Sequence, residues 1–218
     1  MRKVFMALLA VGVMGVACAA GGCAAMSALT YKVTGDPKSP AEYKPKNVPT
    51  LVLVENYQNP DQYRGTASQL ERDIANELTE NKVTQIVPVA KLEDLRSEDA
   101  VAYRKMDVRA IGKAVGAKQV IYVNLVKFSA QTPIGSTEQS GRAEARVRVM
   151  DVQSGRTLWP QDNLEGREIH YETKHEEAVD FSNAEAVHDQ ISQSLAERIA
   201  RLFYAAAEAE NEVGPKSR

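Results

Sequence analysis

Few residues in this chain have the type and spacing to do chemistry. There are only three histidines, His170, His175 and His188. His170 and His175 lie five apart, beside Glu172, Glu176 and Glu177. A zinc site needs three or four ligands held at fixed geometry. A spacing of five puts the pair on opposite faces of a strand and about 140° apart around a helix. That geometry argues against a metal, and solvated charge leading into the last helix accounts for the cluster. Ser129, Ser136, Ser140 and Ser154 lack a Gly-x-Ser-x-Gly context, so a hydrolase triad is unsupported. Gly112-Lys113-Ala114-Val115-Gly116 is not a phosphate loop, because its glycines do not open a helix after a strand. The carboxylates are numerous but single out no acid–base pair. The expectation is therefore no catalytic residue, no metal and no cofactor.

Residues that could bind are easier to find. Arg142, Arg146 and Arg148 interleave with Glu144 along one stretch. A solvated sheet face explains them most simply. The alternative is a polar face for a protein or an anionic polymer. Trp159 is the only tryptophan. It suits core packing at a hairpin end, or an interface anchor. Arg142, Arg146, Arg148 and Trp159 together form the candidate partner face. Tyr57 and Asn59 follow the first strand, at the carboxyl edge where open α/β sheets bind ligands. That reading is an analogy of fold only.

The two cysteines, Cys18 and Cys23, both fall in the first 23 residues, which excludes a disulfide framework or a Cys-rich metal site. Met1-Arg2-Lys3 is cationic, and Val4 to Gly22 carries no charge and ends in small residues. This is the layout of a cleaved export signal, residues 1–22. An apolar stretch of this length can also span a bilayer as a retained anchor, although Leu and Ile are scarce in it. Ala20-Gly21-Gly22-Cys23 resembles the bacterial lipoprotein processing box. The resemblance implies that Cys23 is lipidated and becomes the mature N-terminus. Gly15-Val16-Ala17-Cys18 matches more loosely and would leave a shorter apolar region. Two incidental thiols inside an ordinary signal are the plain alternative. Ala24 follows Cys23, where Asp would resemble the inner-membrane retention signal, so by analogy the outer membrane is slightly favoured. The expected location is membrane-anchored and facing the periplasm. The expected partners are the membrane, through the lipid, and an envelope protein.

The elements that must carry these residues follow from composition and periodicity. The chain has 44% hydrophobic and 26% charged residues, enough for a core. Its net charge of −2 gives no basic excess of the kind that marks a nucleic-acid binder. Residues 23–48 carry Pro37, Pro40 and Pro45 among polar residues and read as a proline-rich tether. A globular domain is expected over 49–209 and a flexible tail over 210–218. Thr50 to Val54 reads as a buried strand. Thr66 and Gln69 form a capping box for a helix running to about Lys82 on Ala67, Leu70, Ile74 and Leu78. Val83 to Val89 reads as a second strand. Lys91 to Tyr103 reads as irregular helix. A helix capped by Asp107 should end at Gly116. Val120 to Val126 is apolar on both faces and should be a central strand. Ala143, Ala145, Val147 and Val149 alternate with polar residues, so that strand has one solvated face. A turn at Gly155 leads to a partner strand at Thr157 to Trp159, which Gly166 to Thr173 extends. Val187, Ile191, Leu195 and Ile199 mark a closing amphipathic helix from about Ser182 or Asn183. The expected fold is single-domain α/β (α+β), a mixed sheet in the order β-α-β-α-β-β-β-α with helices packed on it.

This order resembles a group of bacterial envelope lipoproteins: the curli-secretion channel lipoprotein, the activator of penicillin-binding proteins, and the N-terminal domain of the Tol-system propeller protein. The resemblance is carried by Ala114-Val115-Gly116-Ala117 before the strand from Gln119, by the Val-x-Val-x-Asp-x-x-x-Gly hairpin from Val147 to Gly155, and by the closing helix. The tether at Tyr31-Lys32 and the Leu-Val-Leu-Val-Glu-Asn-Tyr opening look like uncharacterised lipoproteins of planctomycete-type bacteria. Gln131 to Gly141 is short and polar, unlike the membrane-spanning hairpins of the curli channel, so pore formation is unsupported. The resemblance implies a non-catalytic binding or assembly role in the envelope. The alternatives are a subunit of an envelope transport or secretion assembly, and an unrecognised enzyme. Oligomeric state is not readable from the sequence.

Overall fold

The computed structural model describes residues 38–59, 63–131, 140–173 and 184–207. The chain divides into two compact units, residues 39–206 and the remainder. The architecture below is that of residues 39–206. The expected export signal, Cys23, the expected tether before Lys38, most of the loop from Gln131 to Gly141, His175 and the expected tail from 210 lie outside the described residues.

Among the described residues, eleven elements build the six-stranded sheet and the helices around it. In chain order they are β1 (Pro49–Glu55), α1 (Arg64–Glu80), β2 (Gln85–Ile86), α2 (Val89–Glu98), α3 (Ala100–Tyr103), α4 (Val108–Ala114), β3 (Gln119–Gln131), β4 (Ser140–Asp151), β5 (Thr157–Trp159), β6 (Arg167–Glu172) and α5 (Ala184–Arg201). The sheet has six strands in the order β2-β1-β3-β4-β5, with β6 also paired to β4. β1 runs parallel to both β2 and β3, with Thr50 opposite Gln119 and Val54 opposite Val123. β3 and β4 are antiparallel, with Val123 opposite Val147 and a register shift between Leu125 and Lys127. The mixed α/β class read from periodicity is the class observed.

The sheet is packed on both sides. On one face Val52, Ile121, Val123 and Val147 meet Leu70, Ile74 and Leu78 of α1 and Ile191, Leu195 and Ile199 of α5. On the other, Leu51, Leu53, Val120 and Tyr122 meet Leu92 of α2 and Ile111 of α4. β1 and β3 are covered on both sides, which is why they read as continuous apolar runs. β4 is covered on one side only. Ala143, Ala145, Val147 and Val149 are buried, while Arg142, Glu144, Arg146 and Arg148 face out.

Several boundaries differ from the sequence reading, each for a physical reason. Helix α1 begins at Arg64, and its N-cap is Tyr63 in the left-handed region (φ 62°) with no side-chain cap. Thr66 does not cap it, because its hydroxyl lies 2.8 Å from His188 Nε2 on α5. Gln69 donates to Asp73 instead of closing a capping box. The second strand shrinks to Gln85–Ile86, because Pro88 precedes α2, which starts at Val89. The irregular helix over 91–103 is two helices. Asp99 has left helical geometry, and its carboxylate accepts from the Val101 and Ala102 N–H groups, ending α2 and capping α3. β6 is a strand in its own right that pairs with β4, not an extension of β5.

Two expected turns stand as read. Asp107 caps α4 through the Ala110 N–H, and Gly116 follows with φ of +79°. Gly155 sits in the hairpin turn at φ +73°, where a side chain would be strained. The residues just before β1 lie against the domain. Tyr43 donates its N–H to the Leu202 carbonyl, the Thr84 hydroxyl donates to the Lys46 carbonyl, and Arg167 pairs with Glu42 at 2.8 Å.

Candidate functional site

The carboxyl edge of β1 opens onto a cavity of about 410 Å³. Its walls come from four places. Val54, Glu55 and Tyr57 close the strand side, and Arg64, Ala67 and Ser68 supply the first turn of α1. Arg96, Ala100, Tyr103, Arg104 and Met106 come from α2, α3 and the turn after them, and Ile111 from α4. The volume lies in the range of roughly 300–1,000 Å³ typical of small-molecule sites.

Local hydrogen bonding sets this shape. Past β1 the Asn56 side chain accepts from the N–H groups of Gln58 and Asn59, folding the chain into a tight turn. Tyr57 donates its N–H to Asn124 Oδ1 on β3 at 2.9 Å, which fixes the turn to the sheet. Its ring is left outside, 73% exposed. Of the two residues that the edge analogy singled out, Tyr57 lines the cavity. Asn59 only completes the turn.

At the back of the cavity sits an ion pair, buried at Glu71 and partly exposed at Arg96. Glu71 on α1 is fully buried, and both its carboxylate oxygens accept from the Arg96 guanidinium at 2.7 Å. The Val54 N–H donates to the same carboxylate at 2.9 Å. Arg96 donates in addition to the Tyr103 hydroxyl at 3.1 Å and lies over that ring at 5.5 Å. Burial pushes the Glu71 carboxyl above the ordinary carboxylate range, and the Arg96 charge and hydrogen bonds pull it back. For Arg96 burial acts against the charge, but Glu71 outweighs it and holds the guanidinium protonated more firmly than usual. The geometry, with both oxygens accepting from a cation, is that of a carboxylate. On the strand side the Tyr122 hydroxyl donates to Glu55 at 3.0 Å. Burial and the Glu55 charge raise the Tyr122 phenol well above its usual value.

Glu71, Arg96 and Tyr103 were not singled out from the sequence. For Glu71 a signal existed. It stands four after Ala67, three before Ile74 and seven before Leu78, on the apolar stripe of α1. A carboxylate at such a position must find a buried partner. For Arg96 there was none, since its partner is 25 residues away and sits among many surface charges.

The expected partner face separates into two places. Arg142, Arg146 and Arg148 line up on the open side of β4. Arg142 pairs with Glu172 at 2.7 Å, and Arg146 with Glu165 at 2.5 Å and Glu168 at 3.0 Å. Arg148 donates to the Leu164 carbonyl and lies 5.0 Å over the Tyr122 ring. Trp159 is on the opposite side of the sheet. It stacks on Tyr43 at 5.9 Å and meets Phe203 edge-on at 5.9 Å. The structure thus brings the arginines together and does not bring Trp159 to them. Of the histidines, His188 packs on Phe128 at 4.7 Å and His170 lies on the open side of β4 and β6 near Glu168. No group of three metal-ligating side chains occurs among the described residues. No helix among them is long and apolar enough to cross a membrane.

These elements define a class at the level of fold: an α/β domain with a mixed sheet, helices on both faces and a cavity at the end of its parallel strands. The chain is similar in structure to lipoprotein GNA1162 from Neisseria meningitidis, with a TM-score of 0.45 and 17% identity over 70% of this chain and 97% of that one. It is also similar to a PelC dodecamer subunit from Paraburkholderia phytofirmans (TM-score 0.36, 15% identity, 76% of this chain and 92% of that one). The LpoB C-terminal domain from Salmonella enterica matches with a TM-score of 0.33 and 18% identity, over 69% of this chain and 96% of that one. No family model matches the chain, and no curated protein does. The likeness to planctomycete-type lipoproteins gains no support from these matches.

Proposed function

We propose that this chain is a lipid-anchored protein of a bacterial envelope, facing the periplasm, whose folded domain binds a partner and does not catalyse. One observation carries the reading: Ala20-Gly21-Gly22-Cys23 stands at the end of an uncharged stretch that follows Arg2 and Lys3. A proline-bearing segment then leads to the folded domain. Each buried methylene of an acyl chain contributes about 0.8 kcal/mol of membrane affinity, so several chains on Cys23 would hold the domain at the bilayer. Ala24 after the cysteine favours the outer membrane. Arg142, Arg146 and Arg148 are proposed as the polar face toward the partner, and Trp159 as packing that fixes the segment before β1.

Membrane fractionation tests the reading. Wild-type protein expressed in a bacterium with its own lipoprotein pathway should sediment with membranes and resist a high-salt wash. Cys23→Ala should lose the acylated form and its partition into detergent phase. A Cys23→Ala protein that partitions like wild type would remove the basis of the proposal.

A further inference from the structure

We propose that the end of the domain opposite the cavity, at the amino ends of β1 and β3, docks on a surface of anionic lipid. The proposal rests on the anchored reading above, because the tether is what keeps this end within reach of a bilayer. Four segments meet at this end: residues 42–49, 80–85, 116–119 and 151–156. The Lys46 carbonyl accepts from the Thr84 hydroxyl and from the Gln119 side-chain amide, each at 2.8 Å. The Lys118 N–H donates to the Pro49 carbonyl at 2.7 Å, and the Val152 N–H donates to the Lys118 carbonyl at 3.0 Å. Together the segments carry five exposed cations, Lys44, Lys46, Lys82, Lys118 and Arg156.

These cations differ from the arginines elsewhere on the surface. Arg72, Arg142, Arg146 and Arg167 are each paired with a carboxylate. None of the five forms a salt bridge among the described residues. The same four segments carry three carboxylates, Glu42, Glu80 and Asp151. Glu42 is taken by Arg167. Asp151 accepts from Ser154 and sits in the field of Lys46. Positive charge is therefore in excess. The negative end of α1 accounts for Lys82, but Lys44, Lys46 and Lys118 lie on no helix. No large apolar side chain is exposed on these segments, so the contact is with headgroups and not with acyl chains.

The length of the tether selects lipid as the occupant. Cys23 precedes Ser39, the first residue of this compact unit, by 16 residues. A stretch of that length reaches at most about 55 Å fully extended, and about 20–25 Å as a flexible coil. A domain held so close meets the bilayer repeatedly, and a weak second contact becomes an intramolecular one. Each cation beside an anionic surface strengthens attachment about five-fold. With this end on the lipid, the cavity at the carboxyl edge of β1 faces away from the bilayer.

The test is lysine acetylation by N-hydroxysuccinimide acetate, read residue by residue by mass spectrometry. The full chain, purified from membranes, is mixed with vesicles of phosphatidylcholine alone or of phosphatidylcholine with phosphatidylglycerol. Lys46, Lys82 and Lys118 should label at least about three-fold more slowly on the anionic vesicles. Lys105, exposed beyond α3 at the cavity end, should label equally on both. The protection should vanish on going from 0.1 to 1 M salt, as the screening length falls from about 10 Å to about 3 Å. Lys46→Gln with Lys118→Gln should abolish the protection of Lys82, while the charge-matched Lys105→Gln with Lys127→Gln should keep it. Unchanged melting temperatures verify that both double variants fold. Sedimentation with the neutral vesicles reads the anchor separately, so a failure of either proposal is distinguishable from a failure of the other. Equal labelling of the three lysines on both kinds of vesicle, protection that survives 1 M salt, or equal effects of the two double variants would overturn the proposal.

Discussion

Arg96→Met would strip Glu71 of its counter-charge and leave the carboxylate walled in behind the cavity. In the native domain Glu71 is fully buried, accepts twice from Arg96 and once from the Val54 N–H. After the substitution only the Val54 N–H remains to compensate the charge. Breaking one side of a buried pair typically costs about 3–5 kcal/mol. At about 2–4 °C per kcal/mol for a domain of this size, the melting temperature should fall by about 6–20 °C. The loss should depend on pH in a definite sense. Burial already raises the Glu71 carboxyl above its unfolded value, and removing Arg96 raises it further. The native state then holds a proton more tightly than the unfolded chain. Stability is therefore fully present below the unfolded carboxylate pKa of about 4.3 and is lost as pH rises through the folded value. The Arg96→Met deficit should be smallest near pH 4 and largest at neutral pH. Glu71→Leu combined with Arg96→Met should recover most of the loss, because an apolar pair of similar volume is often neutral or better. Thermal unfolding followed by circular dichroism at several pH values reads all three. A deficit under about 1 kcal/mol, a deficit that does not change with pH, or a double variant as weak as the single would refute the reasoning.

Other substitutions separate what matters from what only looks prominent. Asp151 accepts from both the N–H and the hydroxyl of Ser154, which holds its carboxyl below the usual range. Its contribution is present above the ordinary carboxylate pKa and lost as pH falls through the folded value. The stability gap between wild type and Asp151→Asn should thus close on acidification, measured by urea midpoints. Arg146→Ala should cost no more than about 1 kcal/mol despite two carboxylate partners, since its pairs are solvent-exposed. Urea denaturation would measure that cost. Tyr43→Ala should red-shift the emission of the single tryptophan, because Trp159 loses the ring stacked on it at 5.9 Å.

The sequence made the sheet legible where periodicity is unambiguous. The continuous apolar run of β3 marked a strand covered on both faces, and the alternation of β4 marked one with an open face. Asp107, Gly116 and Gly155 were readable because each has one local job. Helix α1 was found by its stripe but misplaced at its start, since Thr66 is taken by His188, 122 residues away. The cavity was legible only as an edge, through Tyr57. Its ion pair was not, because Glu71 and Arg96 meet through packing of α1 against α2 and no local pattern encodes that. Trp159 left two readings open, and the structure seats it between Tyr43 and Phe203, which only the fold brings together.

The claim that most of the functional reading rests on is the anchor, and intact mass reads it most directly. Protein purified from the membranes of a lipoprotein-processing bacterium should begin at Cys23 and carry the added mass of its acyl chains. A chain that begins elsewhere, or begins at Cys23 without added mass, would contradict the account.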